Sequence, residues 1–140
     1  MKLLINLLIF MSISLGVKAQ SLLIYGGDRH REFLGCLNCS PEDKSSIWNV
    51  NGPYGNPKNE NSIWNENGYY GGTEGHYSPF NPYTSAAPIL VDKNGNIYGN
   101  FTANTMLVDR VQLKTLELIF KNRKEIVKNI SAWYPKIFKE

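Results

Sequence analysis

The chain has 140 residues, 42% of them hydrophobic and 19% charged, which suffices for one modest core and is too short for several domains. Fifteen Lys and Arg against twelve Asp and Glu leave a net charge of +3, too small a surplus to mark a nucleic-acid-binding protein. Two of the positive charges, Lys2 and Lys18, lie in the first nineteen residues, so residues 20–140 carry 13 against 12, or +1.

Met1 and Lys2 open the chain, residues 3–15 are an apolar run, and Val17-Lys18-Ala19 places small residues where a leader peptidase cuts. This pattern predicts a signal peptide over 1–19 and a single exported domain over 20–140, secreted or periplasmic. The apolar run is shorter than a bilayer crossing and is interrupted by Ser12, Ser14 and Gly16, so no transmembrane segment is expected.

Residues 22–25 read as a strand, Gly26-Gly27-Asp28 as a turn and 32–37 as a second strand, giving a first hairpin. Within it Asp28, His30 and Glu32 alternate. On an extended segment the three side chains would share one side, a row able to hold a metal or move protons in a metal-dependent hydrolase. The same row could serve as a charged strand edge that discourages pairing. Cys36 and Cys39 follow. In an oxidising compartment they are expected to form a local disulfide, the alternative being thiol–disulfide exchange. Ser40 stands where covalent haem attachment requires histidine.

Residues 41–85 are dense in Asn, Gly, Ser, Tyr and Pro, yet a unit recurs: Ser46-Ile47-Trp48-Asn49, Ser62-Ile63-Trp64-Asn65 and Ser78-Pro79-Phe80-Asn81, at intervals of sixteen. The first two copies continue as Asn51-Gly52-Pro53-Tyr54-Gly55 and Asn67-Gly68-Tyr69-Tyr70-Gly71. Serine can cap a helical turn and Asn-Gly can reverse the chain, so each unit is expected to be a compact turn. Trp48, Trp64 and Phe80 then occupy equivalent places, either as a packed ladder or, with Tyr54 and Tyr70, as a platform on which sugar rings stack. Tyr69, Tyr77 and Tyr83 are further platform candidates.

From Pro88 two apolar runs, 89–91 and 97–101, flank Asn94-Gly95 and predict a second hairpin. Beyond Thr105, Leu113, Leu116, Phe120, Val127 and Ile130 repeat with helical period, predicting an amphipathic helix near 110–133, broken near Asn122. Asp109 and Gln112 are placed as a capping box, Glu117 and Lys121 as a spaced ion pair, and Pro135 as a bias against helix at Tyr134. Residues 105–140 carry eight basic and four acidic groups, +4, against five and eight, −3, over 20–104. The basic groups read as a solvated helix face.

Leu34-Gly35-Cys36-Leu37-Asn38-Cys39, the tandem Ser-x-Trp-Asn-x-x-Gly-x-Tyr-Gly units and the Pro88–Gly99 stretch together resemble a group of small exported bacterial proteins, over residues 22–104. The resemblance implies export and brings no activity. The expected fold is α+β: two short hairpins, a turn-rich sixteen-residue repeat layer over 41–85 and a C-terminal amphipathic helix in the tail 105–140. The expected function is a non-enzymatic exported interaction module, without cofactor and without nucleic acid, whose partner is an envelope polymer or another protein.

Overall fold

A computed structural model describes residues 20–138. The expected signal peptide lies outside the described residues. Four strands form one antiparallel sheet: β1 (Leu23–Gly26), β2 (Glu32–Cys36), β3 (Ile89–Val91) and β4 (Ile97–Asn100), in the spatial order β2-β1-β3-β4. Two helices follow, α1 (Lys114–Lys128) and α2 (Ile130–Ile137). The architecture is α+β.

Both hairpins form. Leu23 pairs with Cys36 and Tyr25 with Phe33 in the first, and Ile89 pairs with Asn100 in the second, where Gly95 takes the positive φ of 83° that the turn requires. Pairing of β1 with β3 joins them across the intervening layer. Asp92 ties the second hairpin's turn together: its carboxylate accepts from the Asn94 and Asn96 backbone, from the Asn96 side chain and from the Tyr98 hydroxyl. The Asn96 side-chain donor, with these other hydrogen bonds, holds the Asp92 carboxyl below the usual aspartate range.

Between the hairpins the chain makes turns rather than strands. Ser46, Ser62 and Ser78 use their hydroxyls identically. Each Oγ accepts from the backbone N–H two residues on, at Trp48, Trp64 and Phe80 (3.0, 3.1 and 3.0 Å). Each also donates to a carbonyl of the preceding turn, at Cys39, Tyr54 and Gly72. The following asparagines act alike. Asn49, Asn65 and Asn81 donate from Nδ2 to the carbonyl six residues earlier and accept on Oδ1 from the N–H two residues later. Backbone turn bonds recur with the units, as from the Asn49, Asn65 and Asn81 N–H groups to the Ser46, Ser62 and Ser78 carbonyls, and these side chains meet the polar groups the turns leave over. Gly55 and Gly71 are fixed by close approach, since a Cβ there would lie 2.0 Å from the Asn49 and Asn65 carbonyl oxygens.

The rings stack through the centre. Trp48 and Trp64 are 5.5 Å apart, Trp64 and Phe80 5.6 Å. Each indole N–H reaches back one unit, Trp48 to the Leu37 carbonyl and Trp64 to that of Ile47. Tyr134 of α2 and Phe138 at its C-cap close one end of the column and Phe101 with Phe120 the other. All three column residues are buried, in one core with Ile24, Leu34 and Leu90 from the sheet and Leu116, Ile119 and Ile126 from α1.

The tail departs from expectation in several details. The helical pattern divides at Asn129, whose φ of −157° leaves the helix, and not at Asn122. The division turns α2 so that Ile130 and Ile137 are buried. Leu113 occupies the N-cap without a side-chain cap bond, because the Asp109 segment is pinned elsewhere: its carbonyl accepts from the Asn100 N–H. Glu117 pairs with Arg110 at 2.8 Å rather than with Lys121. Pro135 sits inside α2, where the helix is only eight residues long and loses a single donor.

Candidate functional site

Cys36 and Cys39 are disulfide-bonded. Cys36 ends β2, fully buried, with no helix following it to stabilise a thiolate. The loop that the bond closes is a hub of acceptors. The Leu37, Asn38 and Cys39 carbonyls take hydrogen bonds from the Trp48 indole, the Tyr134 hydroxyl and the Ser46 hydroxyl in turn. Asn38 also holds both sides of the chain's entry, accepting from the Leu22 N–H and donating to the Gln20 carbonyl. The pair therefore anchors the first turn of the layer.

Asp28, His30 and Glu32 do not form an extended row. Asp28–His30 is a 3-10 turn in which Arg29 and His30 have φ of 55° and 54°. Asp28 pairs with Arg31 at 2.8 Å, His30 Nε2 lies 3.0 Å from the Ala87 carbonyl, and Glu32 begins β2. The two glycines before Asp28 allow a tight reversal, and the chain tightens into that turn before it extends. Among the described residues no three His, Cys, Asp or Glu side chains are grouped to hold a metal ion.

Burial takes Trp48, Trp64 and Phe80 out of any surface platform: their faces are occupied by one another, and the Trp48 and Trp64 indole N–H groups by backbone carbonyls. Tyr54 and Tyr70 are half-buried. Tyr54 packs edge-on against Phe33 at 4.9 Å, and Tyr70 stacks on Tyr77 at 5.9 Å. Burial of the Tyr70 ring, with the Glu32 carboxylate nearby, pushes its phenol above the usual tyrosine value.

Among the tyrosines of the turn-rich layer, those that face water are Tyr69 and Tyr83, 75% and 90% exposed. Each belongs to a shallow hollow on the turn-rich layer. One, about 440 Å³, is lined by Glu66, Asn67, Tyr69, Glu74 and His76; the other, about 530 Å³, by Thr73, Glu74, Asn81, Pro82 and Tyr83. Glu74 lines both, so the two are adjacent. The walls are pinned by structure already described. Asn65 fixes the Asn67 turn, Asn81 fixes the Tyr83 turn, and Glu66 is held by an ion pair to the nearly buried Arg123, whose guanidinium lies over the Phe80 ring at 5.6 Å. The arrangement offers flat exposed rings flanked by amides and a carboxylate on a rigid support.

Sequence reasoning named Tyr69 and Tyr83 but not the partners between them. Glu74 and His76 come from the stretch that joins two units, where the motif carries no signal. It also missed the outer face of the sheet, where Leu23, Tyr25, Phe33, Ile89 and Val91 lie opposite the buried Ile24, Leu34 and Leu90, half-buried and apolar. The unbroken apolar runs at 22–25 and 89–91, without polar alternation, were the readable sign that both faces are apolar. No protein-family model, curated protein or solved structure matches this chain.

Proposed function

We propose that this chain is an exported, non-enzymatic binding module that takes a polysaccharide of the cell envelope along its turn-rich layer. The observation that carries the reading is the pair of exposed tyrosines, Tyr69 and Tyr83, beside adjoining hollows lined by Asn67, Glu74, His76 and Asn81. Tyrosine rings stack on the apolar faces of sugars, and the Asn67 amide and Glu74 carboxylate answer their hydroxyls in both hydrogen-bonding senses. In this reading the recurring units form a tandem array whose buried rings make the support stiff, so little ordering entropy is lost when ligand binds. Export rests on the leader-like first nineteen residues and on the disulfide, which persists in an oxidising compartment.

The test is co-sedimentation with purified, insoluble envelope polysaccharide. The wild-type chain is expected to pellet with it and the Tyr69→Ala/Tyr83→Ala variant to stay in the supernatant with its melting temperature unchanged. Equal pelleting of the two, or no pelleting of either, counts against the proposal. A second reading, a partner protein docked on the outer face of the sheet, is favoured by the apolar row Leu23, Tyr25, Phe33, Ile89 and Val91, since surfaces of this kind mark interaction sites. Substitution of Tyr25 and Phe33 by serine separates the two readings, because it leaves the tyrosine hollows intact.

A further inference from the structure

The tyrosine hollows do not end at Tyr83. Thr73 lines the Tyr83 hollow and also a third, open hollow of about 410 Å³, just as Glu74, its neighbour in the chain, lines both tyrosine hollows. The three therefore form one groove, which runs from Tyr69 past Glu74 to Tyr83 and past Thr73 onto α1. In the third hollow Phe80 and the half-buried Phe120 make an apolar side. Lys121 and Lys124 stand at its rim, three residues apart and so on one face of the helix.

Charge sets the third hollow apart from the first two. The carboxylate that helical spacing offers Lys121, that of Glu117, is taken by Arg110 at 2.8 Å. Glu125, which lines the same hollow beside Lys124, is taken by Lys128 at 3.1 Å, and the Arg123 guanidinium is committed to Glu66. Among the described residues Lys121 and Lys124 form no ion pair, so this end of the groove keeps two exposed positive charges one turn apart. Their mutual repulsion is relieved by an anion placed between them. At the tyrosine end the unmatched charge has the other sign: Glu74 stands between Tyr69 and Tyr83 and enters no ion pair among the described residues.

We propose that the polysaccharide taken by this groove carries an anionic group, a carboxylate or a phosphate, on sugars that lie beside neutral ones: the anionic group sits between Lys121 and Lys124 while neutral rings lie on Tyr69 and Tyr83. The inference rests on the glycan reading of the tyrosine hollows and adds the charge of the ligand to it. A wholly neutral chain leaves the two ammonium groups unmatched, and a chain charged at every ring sets one of its anions against Glu74, so the groove discriminates by attraction at one end and repulsion at the other. The apolar side at Phe80 and Phe120 suits the ring of the charged sugar, and the ammonium groups reach its substituent on their flexible stems.

The experiment is co-sedimentation with the insoluble envelope polysaccharide in three forms: untreated, with its carboxylates reduced to alcohols, and with its phosphates removed by cold hydrofluoric acid. Wild-type affinity is expected to fall about tenfold for the treatment that removes the anionic group, the size expected of two exposed ion pairs, and about 0.5 M salt should weaken binding of the untreated form. Lys121→Ala/Lys124→Ala should bind the untreated form about tenfold more weakly than the wild type and be indifferent to both treatments. Lys58→Ala/Lys93→Ala, which removes the same charge from exposed positions outside the groove, should bind as the wild type does. All four lysines are exposed, and an unchanged melting temperature verifies that both variants fold. Soluble polygalacturonate, charged at every ring, should compete poorly. Wild-type binding undiminished by either treatment, a Lys121/Lys124 variant that binds like the wild type, equal losses in the two lysine variants, or strong competition by polygalacturonate would each overturn this inference while the glycan reading stands. A chain that pellets with none of the three forms brings down both.

Discussion

Trp64→Phe tests the column most sharply, because the third unit already carries a phenyl ring at the equivalent position, Phe80. The substitution keeps an aromatic ring in the stack and removes two things. One is the indole N–H donated to the Ile47 carbonyl at 2.6 Å; that carbonyl has no other donor among the described residues, and a buried unmet acceptor costs about 1–3 kcal/mol. The other is volume. A phenyl in place of an indole leaves roughly 40 Å³ unfilled, about 1 kcal/mol where the surroundings do not relax. The sum is about 2–4 kcal/mol. With an unfolding entropy of about 250 cal/mol/K for a domain of this size, that corresponds to a fall in melting temperature of about 8–16 °C. Thermal unfolding followed by far-ultraviolet circular dichroism measures it. A fall under about 3 °C would show that the indole bond and the tight stacking do not hold the layer together, and the reasoning from buried rings to a rigid surface would fail with them.

Four further outcomes follow from the same structure. Gly71→Ala should unfold the layer or lower stability by more than about 3 kcal/mol, since its Cβ would sit 2.0 Å from the Asn65 carbonyl oxygen, whereas Gly95→Ala meets no atom within 4 Å and carries only the strain of a positive φ; paired denaturant titrations of the two distinguish them. Cys36→Ser should cost about 2 kcal/mol from the short closed loop alone, and more because that loop anchors the Trp48 and Ser46 bonds, read as a lowered urea midpoint. Glu66→Ala should cost about 1–2 kcal/mol by leaving the nearly buried Arg123 without its counter-charge, a figure moderated because Glu66 itself is half-exposed. Acid should loosen the second hairpin: the Asp92 carboxyl is depressed in the folded chain, so its stabilisation is complete above the ordinary aspartate value near 4 and is lost as pH falls through the depressed one, which the Asn94 and Asn96 amide resonances would report by shifting below about pH 4 while they hold steady between 5 and 8.

Much of this fold is legible in the sequence where a local rule dominates. Alternating or continuous β-branched runs around Asn94-Gly95 are enough for the second hairpin, and the sixteen-residue interval places Trp48, Trp64 and Phe80 in one column. What it does not carry is decided by contacts between distant segments. The helix divides at Asn129 and not at Asn122 because Ile130 and Ile137 must turn inward while Tyr134 and Phe138 cap the Trp48 end of the column, a demand invisible in helical periodicity. Asp109 does not cap because bonds to Asn100 hold residues 109–111 extended beside β4, so the helix begins only at Lys114, with Leu113 at its N-cap. Asp28, His30 and Glu32 lose their common side because Gly26-Gly27 let the chain coil into a 3-10 turn, where alternation has no meaning. The hollows beside Tyr69 and Tyr83 draw on residues between units, and only the fold shows that Glu74 lines both.

The most direct measurement is a nitrogen–proton correlation titration of the labelled chain with soluble oligosaccharide fragments of the envelope polymer. The account predicts saturating shifts confined to Asn67, Tyr69, Glu74, His76 and Tyr83, with Leu23, Phe33 and Val91 on the sheet unmoved. Shifts that map instead to the outer face of the sheet, or a spectrum that no fragment perturbs, would contradict it.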